Sequence, residues 1–289
     1  MVRCLKDLKK ALRGEVMRIA KSPVITVAPT TPVSDGIRIM CKEGFRRLPV
    51  VDPQTRKLCG IIVATDIISY LKGGPKHEIA KQKYQNNFSK AIYEPVENIM
   101  TEDVISVFIN STIDHALKLM NKYGLGALPV IDKENRVWAI VTERDIVSMF
   151  SKKMADTPVS KLMTKRVLTV DPNASIKEAE ESMVRYGFRR LPLVSDRRLK
   201  GIVTATDILR FLSSDEAFQK ILSGELDSLL KTKIDKIATH KVITISPDAD
   251  VGEAAKLMSN HDIGALLVVK DDTLHGIITE RDLLKLVPA

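Results

Sequence analysis

Three stretches of the chain place an aspartate three residues after a threonine: Thr142 and Asp145, Thr204 and Asp207, Thr279 and Asp282. A hydroxyl and a carboxylate at that spacing suit a helix start, where each satisfies a backbone N–H of the open first turn. The same helix start attracts anions, because its unpaired N–H groups and the helix dipole both favour negative charge. One backbone geometry serves both purposes. A fourth stretch, Val63-Ala64-Thr65-Asp66, keeps the aspartate but has valine where the others have the leading threonine. Losing that hydroxyl removes a hydrogen bond worth about 1 kcal/mol, so the weakest site is expected there.

A second motif carries charge. Gly-Phe-Arg-Arg-Leu-Pro occurs at residues 44–49 and again at 187–192. Two adjacent arginines entering an apolar strand send their side chains to opposite faces, so one of each pair can enter a cleft. Arginine suits phosphate because its planar fork makes paired, charge-assisted hydrogen bonds. The equivalent places elsewhere hold Gly126-Ala127 and Gly264-Ala265, which leave room and bring no charge. Arg144 and Arg281, each preceding an aspartate of the first motif, either add phosphate contacts or face solvent.

The elements that must position these residues recur four times along the chain. Each copy opens with a β-branched run (Val24-Ile25-Thr26-Val27 in the first), continues with an amphipathic helix, then two apolar strands joined by a polar turn, then a helix at the aspartate motif. In the second copy Ile113, Ala116, Leu117 and Met120 mark one helical face, as do Val251, Ala254, Ala255 and Met258 in the fourth. Gly44, Gly124 and Gly187 close the helix in three copies, as left-handed caps do. The fold class expected is α+β, with strand-helix-strand-strand-helix in every copy. A sheet this small has one bare face to bury, and the next copy is its natural partner. Odd copies share the arginine motif and even copies share Gly-Ala, so the chain is read as a duplicated two-repeat unit. The division expected is an N-terminal helix over 1–15, repeats at 16–72, 96–151, 158–212 and 234–289, and helical connectors at 73–95 and 213–233. Leu5, Leu8 and Leu12 fall at helical spacing and are expected to seat the first helix on the first repeat.

The four copies resemble CBS domains. Four in one chain are similar to the γ subunit of AMP-activated protein kinase and to free-standing archaeal CBS proteins. The resemblance covers nearly all of residues 16–287 and implies two tandem modules in a disk-like arrangement, with nucleotide-sized clefts between repeats. It implies that Asp66, Asp145, Asp207 and Asp282 accept ribose hydroxyls. Phosphate would fall to Arg46, Arg47, Arg189 and Arg190, with Thr65, Thr142, Thr204, Thr206 and Thr279, and with Arg144 and Arg281. The adenine region would lie by the first-strand hydroxyls Thr26, Ser106, Thr169 and Thr244. The ligand implied is AMP, ADP or ATP in a regulatory role, without a catalytic cofactor, read out by a regulated protein partner. Homodimer formation stays open.

Composition narrows the rest. Of 289 residues 44% are apolar and 28% charged, so real cores form under a soluble surface. The net charge of +9 favours anionic partners without choosing among them. Nucleic acid is the alternative partner, but aromatics are only 4%, a poor supply of stacking platforms. S-adenosylmethionine is the alternative metabolite, and its positive sulfonium fits the arginine pairs less well. Cys4, Cys41 and Cys59 form no Cys-x-x-Cys pair, and the five histidines show no metal-ligand spacing, so neither a disulfide framework nor a metal centre is expected. No Walker loop, dinucleotide fingerprint or nucleophile motif occurs, and the chain is read as non-catalytic. No apolar run approaches a membrane span, and the expected location is the cytoplasm.

Overall fold

The computed structural model describes residues 11–73, 75–85, 87–150 and 157–287. The first copy consists of α1 (Val33–Glu43), β1 (Arg47–Val51), β2 (Leu58–Val63) and α2 (Ala64–Ile68). The second consists of β3 (Val107–Phe108), α5 (Ile113–Tyr123), β4 (Ala127–Ile131), β5 (Val137–Thr142) and α6 (Glu143–Phe150), after connector helices α3 (His77–Tyr84) and α4 (Phe88–Ala91). The third is α7 (Ile176–Tyr186), β6 (Arg190–Ser195), β7 (Arg198–Thr204) and α8 (Ala205–Leu212), and connectors α9 (Asp215–Leu222) and α10 (Leu226–Leu230) follow. The fourth is β8 (Thr244–Ile245), α11 (Val251–Asn260), β9 (Ala265–Lys270), β10 (Thr273–Thr279) and α12 (Glu280–Leu284).

The local rules repeat with the sequence. Ile113, Ala116, Leu117 and Met120 are buried on α5, and their counterparts are buried on α11. Gly44, Gly124 and Gly187 sit at φ 68°, 67° and 67°, the left-handed region that glycine enters without a Cβ penalty. The fourth copy lacks that glycine and uses Asp262 at φ 53°. In all four copies the next N–H returns to a helix carbonyl: Phe45 to Met40, Leu125 to Met120, Phe188 to Met183, Ile263 to Met258. The two main strands of each copy pair antiparallel. The opening strand is shorter than the sequence suggests. It is two residues long and parallel to its neighbour in the even copies, and a single bridge, Val27 to Val50 or Val170 to Leu193, in the odd ones.

Each copy's lead segment belongs physically to its tandem neighbour. Four 3-10 turns open on Val16, Val96, Val159 and Ile234, all fully buried. The Val16 N–H donates to Ser111 O of the second copy, and the Val96 N–H to Thr31 O of the first. Val159 bonds Ala249 O of the fourth copy and Ile234 bonds Ala174 O of the third, so the exchange is reciprocal in both pairs. Gly60 records how close the crossing is. A Cβ there would stand 2.3 Å from Met100 Sδ of the incoming segment. Leu12, expected to seat on the first repeat, is instead 2% exposed in the core of the second and fourth copies, because residues 11–24 travel with that exchanged segment. Leu5 and Leu8 lie outside the described residues.

The chain divides into two compact units, one of residues 1–24, 105–167 and 243–289, the other of residues 25–104 and 168–242. In the first, helices of the second and fourth copies share a core, including Leu117, Ile146, Met258 and Leu283. In the second, helices of the first and third copies do the same through Met40, Ile67, Met183 and Ile208. The sequence shows the odd–even likeness. The structure adds that like copies bury their helices together.

Candidate nucleotide-binding site

In every copy the last strand ends where the last helix begins, and the antiparallel register sets the start of the preceding strand beside it. Arg47 is the Cα partner of Val63, Ala127 of Thr142, Arg190 of Thr204 and Ala265 of Thr279. A backbone bond fixes this corner each time. The Ala64 N–H donates to Arg46 O and the Ala205 N–H to Arg189 O, both at 2.9 Å. In the even copies the Glu143 N–H donates to Gly126 O and the Glu280 N–H to Gly264 O. The arginine motif and the aspartate motif, about 15 residues apart in sequence, thus form one corner, and all four arginines are half-buried.

The threonine–aspartate pairs close as capping boxes. Asp207 Oδ2 accepts from the Thr204 N–H at 2.9 Å and its hydroxyl at 2.7 Å. Asp145 does the same with Thr142 at 2.8 and 2.7 Å, and Asp282 with Thr279 at 3.0 and 2.8 Å. Of the two capping bonds, Asp66 keeps the one from the Val63 N–H, at 3.1 Å. Each box uses Oδ2 and turns Oδ1 elsewhere. Oδ1 of Asp207 meets Arg210 at 3.0 Å and that of Asp282 meets Lys285 at 2.7 Å, both from one turn further along the same helix. Burial raises the Asp145 carboxyl above the ordinary aspartate range, outweighing the Thr142 hydrogen bonds and the positive charges of Lys21 and Arg144.

The exchanged lead segments complete the corner. Lys21 forms a bridge with Ile140, Thr101 with Ile61, Thr164 with Ile277 and Thr239 with Ile202, each two residues before the capping position. The tandem neighbour therefore contributes backbone to each site. Lys21, on the second copy, stands where the other three have threonine. The signal that singles it out is the alignment of the four lead segments, Lys21 against Thr101, Thr164 and Thr239.

Other expected residues lie differently. Thr65 and Thr206 are half-buried in the first turns of α2 and α8, next to their aspartates. Thr26, Ser106, Thr169 and Thr244 sit on or beside the opening strand. That strand pairs with the far side of the first main strand of its copy, a full strand's width from the cap. Arg144 and Arg281 are spoken for by carboxylates. Arg144 Nε donates to Glu280 Oε1 at 2.7 Å and Arg144 also pairs with Asp262. Arg281 Nε donates to Glu143 Oε1 at 2.7 Å, and its Nη2 to Gly124 O at 2.8 Å. The fork that would meet phosphate is engaged in joining the second and fourth copies.

Four segments match the model of the CBS domain, at residues 14–73, 96–152, 159–214 and 234–289. The chain belongs to the CBS-domain family. A relative from Methanocaldococcus jannaschii, protein MJ1225, is 37% identical over 273 residues, covering 93% of this chain and 98% of that one. A 33.4 kDa protein of the ribosomal RNA operon of Thermofilum pendens is 31% identical over 278 residues, covering 96% and 92%. The crystal structure of MJ1225, proposed as an archaeal homologue of g-AMPK, superposes with a TM-score of 0.90 at 36% identity, over 94% of this chain and 99% of that one. A structure from Pyrococcus horikoshii shares the fold, with a TM-score of 0.61 at 24% identity over 95% and 100%. Four CBS repeats in an α+β fold are thus common to the chain and a relative matched along nearly its whole length. Among the described residues no cluster of three His, Cys, Asp or Glu side chains could hold a metal ion, and no helix is long and apolar enough to cross a membrane.

Proposed function

We propose that this CBS protein is a non-catalytic regulator that binds an adenine nucleotide, AMP, ADP or ATP, at the strand–helix corners of its repeats. The observation that carries the reading is the third copy's corner. Arg190 stands in register with Thr204, whose hydroxyl and N–H are both held by Asp207. The register brings the Arg190 backbone beside a helix start and its carboxylate, which supports a site for an anionic ligand there. A phosphate can accept from the arginine and the helix start, while ribose hydroxyls donate to the carboxylate. Phosphate recognition falls to Arg46, Arg47, Arg189 and Arg190 with the capping threonines. Arg144 and Arg281 are left out, since Glu280 and Glu143 hold them.

Regulation follows if the bound nucleotide favours one arrangement of the repeats over another, which a protein partner then reads. Only differential affinity for the two arrangements can produce that shift. Calorimetric titration of the full chain with AMP, ADP, ATP and S-adenosylmethionine tests the reading. Saturable binding of a phosphorylated nucleotide, tighter than that of S-adenosylmethionine, is the expected result. No binding of any adenine nucleotide, together with steeply salt-dependent binding of duplex DNA, would instead favour a nucleic-acid role for the basic surface.

A further inference from the structure

We propose that Lys76 closes the nucleotide site of the first copy, acting as a built-in cation plug on Asp66; the inference rests on the nucleotide-binding reading of the corners. Both carboxylate oxygens of Asp66 are occupied. Oδ2 takes the Val63 N–H at 3.1 Å, and Oδ1 takes the Lys76 ammonium at 2.7 Å. The same ammonium donates to Ile99 O, in the lead segment that the second copy lends to the first. The Lys76 backbone N–H reaches back to Ser69 Oγ at 3.4 Å. Lys76 thus joins the connector, the helix cap and the exchanged segment at one point.

The other copies show why this contact differs from an ordinary surface ion pair. The partners of Asp207 and Asp282 come from their own helices, three residues on, and Arg210 and Lys285 are each 61% exposed. Such side chains swing into water at little cost, since exposed pairs are screened and weak. Asp145 has no basic partner within salt-bridge distance among the described residues. The Lys76 side chain is only 27% exposed and comes from outside the helix, ten residues beyond the aspartate. It also has a second acceptor to hold it in place. A ribose approaching Asp66 must displace an ammonium bonded to two acceptors. It would gain only a carboxylate whose cap lacks the threonine hydroxyl.

Among the described residues, no lysine from beyond the last helix reaches Asp145, and the only lysine that meets Asp282 is Lys285, from the end of its own helix. In the third copy, the corresponding stretch runs into α9, opened by Ser214, whose hydroxyl caps Ala217. It sends no ammonium to Asp207. Among the described residues the plug is seen in the first copy, the one whose capping threonine is missing.

The test is the stoichiometry of AMP binding to the full chain, measured by calorimetry and by equilibrium dialysis. Lys76→Ala and Lys76→Met, the latter keeping the apolar stem, are each expected to bind one more AMP per chain than the wild type. Lys76→Arg, which keeps the charge, is expected to match the wild type. Adding Asp66→Ala to Lys76→Met should remove the extra site. Unchanged or reduced stoichiometry in folded Lys76→Met, with the wild type still binding AMP, overturns the plug and makes Lys76 a bystander or a ligand contact. Absence of AMP binding in both wild type and variant overturns the plug and the nucleotide-binding reading together.

Discussion

Arg144 donates to Glu280 at 2.7 Å, and the same contact appears with the roles of the copies exchanged, where Arg281 donates to Glu143 at 2.7 Å. The two Thr-Glu-Arg-Asp segments are thereby clasped around a local two-fold relation. Glu143 and Glu280 are nearly buried, so removing an arginine leaves a carboxylate with no cation in a dry setting. That cost exceeds the usual value of an exposed pair and falls short of a fully buried one.

Arg144→Ala is therefore expected to lower stability by about 1–3 kcal/mol in urea unfolding, between the values for exposed and buried pairs. The exchanged double variant Arg144→Glu/Glu280→Arg should recover part of the loss. Additive losses in the double variant would show that the two side chains do not interact.

A backbone contact gives a second expectation. A Cβ on Gly201 would stand 2.9 Å from the Thr239 carbonyl oxygen, in the lead segment exchanged from the fourth copy. That neighbour is main chain held in a bridge with Ile202, so it has little freedom to withdraw. Gly201→Ala should lower the melting temperature by several degrees, corresponding to about 1–3 kcal/mol of overpacking. An unchanged melting temperature would mean that the exchanged segment is not seated on β7 in solution.

The connector of the first copy carries an acid-labile contact. The Glu94 side chain is fully buried and accepts from Lys83 at 2.8 Å, and from Tyr84 and Asn98. Burial alone would raise its pKa, but the bonds from Lys83, Tyr84 and Asn98 outweigh it and hold the carboxyl below the ordinary glutamate range. A depressed folded pKa means the contribution is fully present above the unfolded value, about 4.3, and is lost as pH falls through the folded value. Wild-type stability should therefore drop on acidification below about pH 4.3 more steeply than that of Glu94→Gln. Parallel pH profiles for the two proteins, measured by urea unfolding, would count against the contact.

Much of this architecture is readable in the primary structure, for a physical reason. Helix faces, left-handed caps and capping boxes depend on residues within one turn of each other, so Met120, Gly124 and the Thr204–Asp207 pair reveal themselves locally. Register joins Arg190 to Thr204 through a hairpin, which is still short-range. The exchange of lead segments is different. Val16 fits either the first or the second copy equally well by pattern, and only three-dimensional packing sends it, with Leu12, to the second. The pairing of Arg144 with Glu280, across 136 positions, is likewise invisible to a reading of one motif at a time. Lys76 lies in a charged connector whose composition marks it as solvated. Nothing in the local sequence says that this lysine alone turns back onto Asp66.

Nucleotide binding at the corners depends above all on the aspartates as acceptors, and one measurement addresses that directly: the AMP affinity of the triple variant Asp145→Asn/Asp207→Asn/Asp282→Asn, compared with wild type by calorimetry. Asparagine keeps the shape and part of the cap, and circular dichroism with thermal melting verifies the fold. Loss of charge-assisted hydrogen bonds worth about 1.5–3 kcal/mol each predicts AMP binding weakened on the order of 10- to 100-fold. A folded triple variant that binds AMP as tightly as the wild type would contradict the assignment.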